Sequence, residues 1–134
     1  MTGNTHYINS DLVLASKLPI KALCDEFDRK CCVLYQRQDD DGNWHAAIES
    51  DTIDNTSAAD DIERVLAITR QLSEEARKQW DHCFSREINI GFRCGDTWAF
   101  SHSLPTNVVR AIADAGCALA ITLYPIRDDD EAED

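Results

Sequence analysis

Alternating apolar and polar positions mark out most of this chain. From Tyr7 to Ala15, Ile8, Leu12 and Leu14 fall on one face and Val13 and Ala15 on the other, which predicts a strand whose first face Ser10 interrupts. Pro19 then opens a helix at the first-turn position, where its missing N–H matters least, and Ile20, Leu23, Cys24 and Phe27 form one apolar stripe. Cys31 to Tyr35 reads as a compact strand. Asp39-Asp40-Asp41-Gly42-Asn43 reads as a turn, and Trp44 to Ser50 as the returning strand, with Trp44, Ala46 and Ile48 alternating against His45, Ala47 and Glu49.

Asp51 to Ala59 is a polar connection. Ser57-Ala58-Ala59-Asp60 has the form of a capping box, and Ile62, Val65, Leu66, Thr69 and Leu72 follow at helical spacing. Ser73-Glu74-Glu75 resembles a second cap, so the helix is expected to kink or restart there before Ala76, Trp80 and Cys83 continue the apolar face. Arg86 to Cys94 carries the clearest alternation, Ile88, Ile90, Phe92 and Cys94 against Glu87, Asn89, Gly91 and Arg93. Gly95-Asp96 predicts a two-residue hairpin turn, with Thr97 to Ser101 returning as a strand through Trp98 and Phe100. Pro105 opens another helix, with Val108, Val109 and Ile112 inward and Gly116 as its C-terminal cap, and Ala118 to Tyr124 is a last strand stopped by Pro125.

The order is β-α-β-β-α-β-β-α-β, an α+β fold with a mixed sheet, helices on one face and a partly ferredoxin-like start, since the first six elements match a split βαβ arrangement. Ile88, Ile90, Phe92, Leu119, Ile121 and Leu123 are expected in its core. Leu18-Pro19, Asp28 and Cys31 recur 86 positions later as Leu104-Pro105, Asp114 and Cys117, as two duplicated strand–helix–strand units would. A length of 134 residues predicts one domain, here 1–127, which buries roughly two-thirds of its unfolded surface.

Charge changes the picture most. Twenty-five Asp and Glu face thirteen Lys and Arg, a net charge of −12. The acids cluster at Asp39-Asp40-Asp41, at Asp60-Asp61-Ile62-Glu63 and over 128–134, an acidic tail expected to be disordered. Such a charge repels nucleic acid and anionic membranes and speeds encounter with cationic partners. The polar start lacks the basic and apolar runs of a secretory signal, and no apolar stretch approaches the roughly 20 residues of a membrane span, so a cytoplasmic protein is expected.

Catalytic and metal signatures are weak. The six cysteines (Cys24, Cys31, Cys32, Cys83, Cys94, Cys117) show no C-x-x-C, and with His6, His45, His82 and His102 they lack the paired spacing of zinc ligands. In a reducing compartment they are expected as free thiols, with no metal and no cofactor. Cys94 and His102 are close in sequence, but the alternation puts Cys94 on the buried parity beside Phe92. There is no G-x-S-x-G and no glycine-rich phosphate loop, so the chain is not read as an enzyme.

The run Arg86-Glu87-Ile88-Asn89-Ile90-Gly91-Phe92, then Ser103-Leu104-Pro105, then Ala113-Asp114-Ala115-Gly116-Cys117 continuing to Tyr124, resembles a widespread family of small uncharacterised bacterial α+β proteins. The resemblance covers about residues 86–125 well and the first half loosely. It rests on a strand, a helix entry and a cap, so it carries over no site residue. Some members of that family act as immunity proteins that neutralise toxins delivered between bacteria. What the resemblance implies, together with the charge, is a non-catalytic binding protein for a basic, nuclease-type toxin. Asp39, Asp40, Asp41, Asp60, Asp61 and Glu63 are its candidate partner-binding residues. The competing expectation is an acidic regulatory or ligand-sensing module, a homodimer through a sheet edge.

Overall fold

The computed structural model describes residues 4–50, 57–96 and 98–125. Strand β1 (His6–Ser16) buries Ser10, Leu12 and Leu14 on one face, as the alternation requires. Helix α1 (Lys21–Asp28) starts two residues past Pro19 and buries Leu23, Cys24 and Phe27. Strands β2 (Cys31–Gln38) and β3 (Trp44–Ser50) pair antiparallel. Their turn uses Gly42 at φ +89°, a left-handed conformation that a Cβ would disfavour.

Helix α2 (Ala58–Thr69) is capped by Ser57, whose Oγ accepts from the Asp60 N–H at 3.1 Å. The expected break follows. Helix α3 (Glu74–His82) restarts under its own cap, where Ser73 Oγ accepts from the Ala76 N–H at 3.2 Å. Glu26 on α1 accepts from both the N–H and the hydroxyl of Ser73, tying the two helices together. Strand β4 (Cys83–Arg93), helix α4 (Thr106–Asp114) and strand β5 (Ala118–Tyr124) complete the chain. Gly116 ends α4 at φ +77°, its N–H bonded to Ala113 O at 2.9 Å.

The five strands form one mixed sheet in the order β2-β3-β1-β4-β5. All neighbours are antiparallel except β4 and β5, which run parallel with α4 as the crossover. The β2-β3-β1-β4 portion, with α1 between β1 and β2, is the expected split βαβ arrangement, and β5 is added beyond β4. The 86-residue offset carries α1 onto α4 and β2 onto β5, but it carries β1 past the end of β4, so the repeat covers the helix and the second strand and not the first. The two units differ, because β3 lies between β1 and β2 whereas β4 and β5 touch.

The core lies between one sheet face and the helices. Leu12, Leu14, Ala46, Ile48, Ile88, Ile90 and Phe92 meet Leu23 and Phe27 of α1, Ile62, Val65 and Leu66 of α2, Trp80 of α3, and Val108 and Ile112 of α4. Arg86 locks the lower edge of this layer. Its guanidinium donates to Trp80 O at 2.9 Å and Gly116 O at 3.1 Å, and lies 5.3 Å above the Trp80 ring. It thus neutralises the carbonyl ends of α3 and α4 together.

Val109, expected inward with Val108 and Ile112, is exposed. Two larger expectations also fail. Residues 98–101 form no strand, and among the described residues four helices and five strands replace the expected order with β-α-β-β-α-α-β-α-β. The reason is occupancy: β4 has β1 on one side and β5 on the other, and the Cys94 N–H already donates to Tyr124 O at 2.8 Å. A hairpin return has no free edge to pair with. Second, Ile88, Ile90 and Phe92 are 1–2 % exposed as expected, but Leu119, Ile121 and Leu123 are 47 %, 61 % and 59 % exposed. They share the core face, standing opposite Ile88, Ile90 and Phe92 in register, but the helix layer stops short of β5. The tail at 128–134 and the connection at 51–56 lie outside the described residues.

Candidate functional site

The acids singled out in the sequence fall at two ends of the sheet. Asp39, Asp40 and Asp41 occupy the β2–β3 turn, beside Trp44, which pairs with Ser16 at the end of β1. Asp60, Asp61 and Glu63 lie in the first turns of α2, and Asp61 meets Tyr7 at the opposite end of β1. Nine residues of strand separate the levels of Tyr7 and Ser16, about 30 Å at ~3.3 Å per residue. The six do not make one patch.

Nor are they alike. Asp39 organises the turn: Oδ1 accepts from the N–H groups of Asp41 and Asn43, both at 2.9 Å, and Oδ2 pairs with His45 Nε2 at 2.7 Å. The bond to His45 and those N–H groups hold its carboxyl below the usual range. Asp61 is 5 % exposed and accepts the Tyr7 hydroxyl, while Ser10 Oγ lies 2.9 Å from that same hydroxyl. Burial and the Asp61 carboxylate push the Tyr7 phenol up. Asp61 is therefore a buried anchor between β1 and α2, inaccessible to a partner. Glu63 Oε1 accepts from Asn107 Nδ2 at 3.1 Å, linking α2 to α4. Asp40, Asp41 and Asp60 remain exposed, and among the described residues none is held in an ion pair.

A second region was not anticipated. A 390 Å³ pocket opens beside β5, lined by Thr5, Phe92, Cys94, Phe100, His102, Ile121 and Leu123. Its floor is aromatic: Phe92 lies edge-on to Phe100 at 5.1 Å and to His102 at 5.0 Å, and Tyr7 backs Phe92 at 6.1 Å. The Gly95 N–H donates to Thr5 Oγ1 at 2.9 Å, which anchors the start of the segment carrying Phe100 and His102. Trp98 in that segment is fully exposed. Cys94 and His102 share the pocket, but among the described residues no hydrogen bond joins them. The available sequence signal was the number of helices, too few to roof every strand of so apolar a sheet.

The remaining chemistry is sparse. Burial pushes the Cys24 thiol up to about 12 and those of Cys83 and Cys117 to about 11, which suppresses the nucleophilic thiolate. Among the described residues no disulfide joins the six cysteines, and no group of three or more His, Cys, Asp or Glu could hold a metal ion. No helix among them is long and apolar enough to cross a membrane. On the sheet face that carries no helix among the described residues, Asp11 stands opposite Glu49 in register, and Asn9 Nδ2 donates to Glu49 Oε2 at 3.2 Å. Asp11 Oδ1 is buried with no partner among the described residues, and burial plus the Glu49 charge raise the Asp11 carboxyl to about 6.

Comparison with known proteins adds no constraint: no protein-family model, no curated protein and no solved structure matches this chain.

Proposed function

We propose that this chain is a non-catalytic, acidic binding protein that neutralises a basic, nuclease-type bacterial toxin. The observation that carries this reading is the distribution of charge. The chain carries a net −12, and among the described residues Asp40, Asp41 and Asp60 are exposed and held in no ion pair. A basic nuclease cleft meets such a surface quickly, because long-range attraction raises the encounter rate, and carboxylates can occupy positions meant for phosphates. The resemblance at residues 86–125 supports the same reading. Of the six candidate contacts, Asp40, Asp41 and Asp60 fit this reading best, because Asp39, Asp61 and Glu63 have internal partners.

The test is co-expression with the product of the adjacent gene in a sensitive host, followed by binding kinetics at two salt concentrations. Protection is expected, with an association rate that falls as salt rises and falls again in the Asp40→Asn/Asp41→Asn/Asp60→Asn variant. No protection and no complex would reject the reading. The alternative, a ligand-sensing module, is favoured by one observation: the 390 Å³ aromatic pocket is of the size that holds small ligands. A screen of small aromatic compounds by thermal shift separates the two, since a sensor gains stability from its ligand and a toxin inhibitor does not.

A further inference from the structure

We propose that the outer edge of β5 is an interface between two copies of this chain, which join antiparallel across a two-fold axis at Ile121 into one continuous ten-stranded sheet. Three independent features of β5 point there.

The first is its backbone. In a parallel pair, alternate residues of the edge strand direct both N–H and C=O to the neighbour. Tyr124 O accepts from the Cys94 N–H, so Tyr124 and, by alternation, Thr122, Ala120 and Ala118 face β4. Leu119, Ile121 and Leu123 therefore direct their N–H and C=O groups outward. The strand itself carries none of the devices that blunt such edges: β5 has no proline, no charged residue and no register shift against β4.

The second is its side chains. The same three residues carry the exposed apolar row on the core face, and the row Leu-x-Ile-x-Leu reads identically in both directions about Ile121. An antiparallel two-fold sets Ile121 against Ile121 and Leu119 against Leu123. Directly opposed residues then share both a face and a pair of main-chain hydrogen bonds. Leu119 of the second copy arrives beside Leu123, at the rim of the pocket floored by Phe92 and Phe100. An isologous interface requires this self-complementarity.

The third is charge. Across residues 83–125 three arginines (Arg86, Arg93, Arg110) balance three acids (Glu87, Asp96, Asp114), so the unit bearing β5 is neutral within a chain of −12. Self-association here avoids the acidic regions. The two-fold also sets the points where the chains leave β5 about 20 Å apart, beyond a Debye length of ~8 Å.

The test uses the full-length chain. Sedimentation equilibrium over a roughly hundredfold concentration range should show a dimer of the 15.1 kDa chain dissociating on dilution. Ile121→Lys, at an exposed position, should give a folded monomer, while Leu34→Lys on the other edge strand should leave the dimer intact. Hydrogen exchange of the unmodified protein needs no variant. The Leu119, Ile121 and Leu123 amides should exchange about tenfold or more slowly at high than at low concentration. A monomer throughout, or a dimer that survives Ile121→Lys without protection of these amides, would overturn the proposal. Toxin neutralisation is read separately and stands or falls on its own.

Discussion

Asp11 sits on the central strand, on the sheet face that carries no helix among the described residues, directly across from Glu49. Asn89 of β4 faces it from the other side, with Glu87 two residues away on the same face. Like charges directly opposed across two strands destabilise a sheet, and here one oxygen is also buried without a partner among the described residues. The folded protein therefore holds a proton on Asp11 up to a pH of about 6, whereas the unfolded chain releases it near 3.8. Between those values the native state binds more protons, so this group costs stability as pH rises from about 4 to 6 and no further above that. Asp11→Asn supplies a permanent N–H donor toward Glu49 and removes the titration. We expect it to stabilise the protein at pH 7 by on the order of 1 kcal/mol, after allowance for solvent screening. Urea titrations at pH 4, 5, 6 and 7 check this; an unchanged pH profile would mean that the pair does not share a proton. Tyr7 gives the opposite case. Tyr7→Phe removes a donor to the buried Asp61 oxygen and should cost about 1–3 kcal/mol, visible in the same titration at constant pH.

Helix ends were the most legible elements, because their chemistry is local. Ser57, Ser73 and Gly116 announced a cap, a restart and a stop, and each does that work in the structure. Gly116 is also confined from outside: a Cβ there would lie 2.9 Å from Arg86 Nη2, at a φ that side chains disfavour. Gly116→Ala should therefore cost about 1–2 kcal/mol from backbone strain alone, with more if Arg86 loses its hold on the α3 and α4 carbonyls. Thermal unfolding of Gly116→Ala, Arg86→Ala and the double variant measures the coupling. A double variant no worse than the weaker single would show that both act through one clamp, whereas full additivity would separate them. Sheet neighbours were less legible. Residues 97–101 read as a hairpin return by turn chemistry and alternation, yet the edge they would need belongs to β5, which begins seventeen positions after Ser101. Alternation likewise reports which residues share a face but not whether a helix covers that face. For this reason Ile88, Ile90 and Phe92 were placed in the core correctly and Leu119, Ile121 and Leu123 were not.

At the scale of the molecule, the sequence disclosed how much charge there is but not where it sits. The clusters lie in a turn and at a helix start, and β1 sets them at opposite ends, one beside Ser16 and the other beside Tyr7 and Ser10, on the order of 20–30 Å apart. At physiological salt that distance exceeds the Debye length of ~8 Å severalfold, so the two ends behave independently. Their local environments also differ in sign. Asp40 and Asp41 repel each other and Asp39 in an exposed turn, so Asp40→Asn/Asp41→Asn should stabilise the fold by a few tenths of a kcal/mol at low salt, and less as salt screens the repulsion. Asp60 stands in the first turn of α2, where the helix dipole favours a negative charge, so Asp60→Asn should destabilise by roughly 0.3–1 kcal/mol. Because the sites share no partner, the triple variant should equal the sum of the two effects within ~0.5 kcal/mol. Denaturant midpoints at low and moderate sodium chloride provide the measurement. Marked non-additivity would place the two acidic ends within reach of each other and restore a single docking surface. Additivity would mean that a basic partner either spans the sheet or engages one end, so the partner-binding kinetics of the hairpin and helix variants can then be read separately.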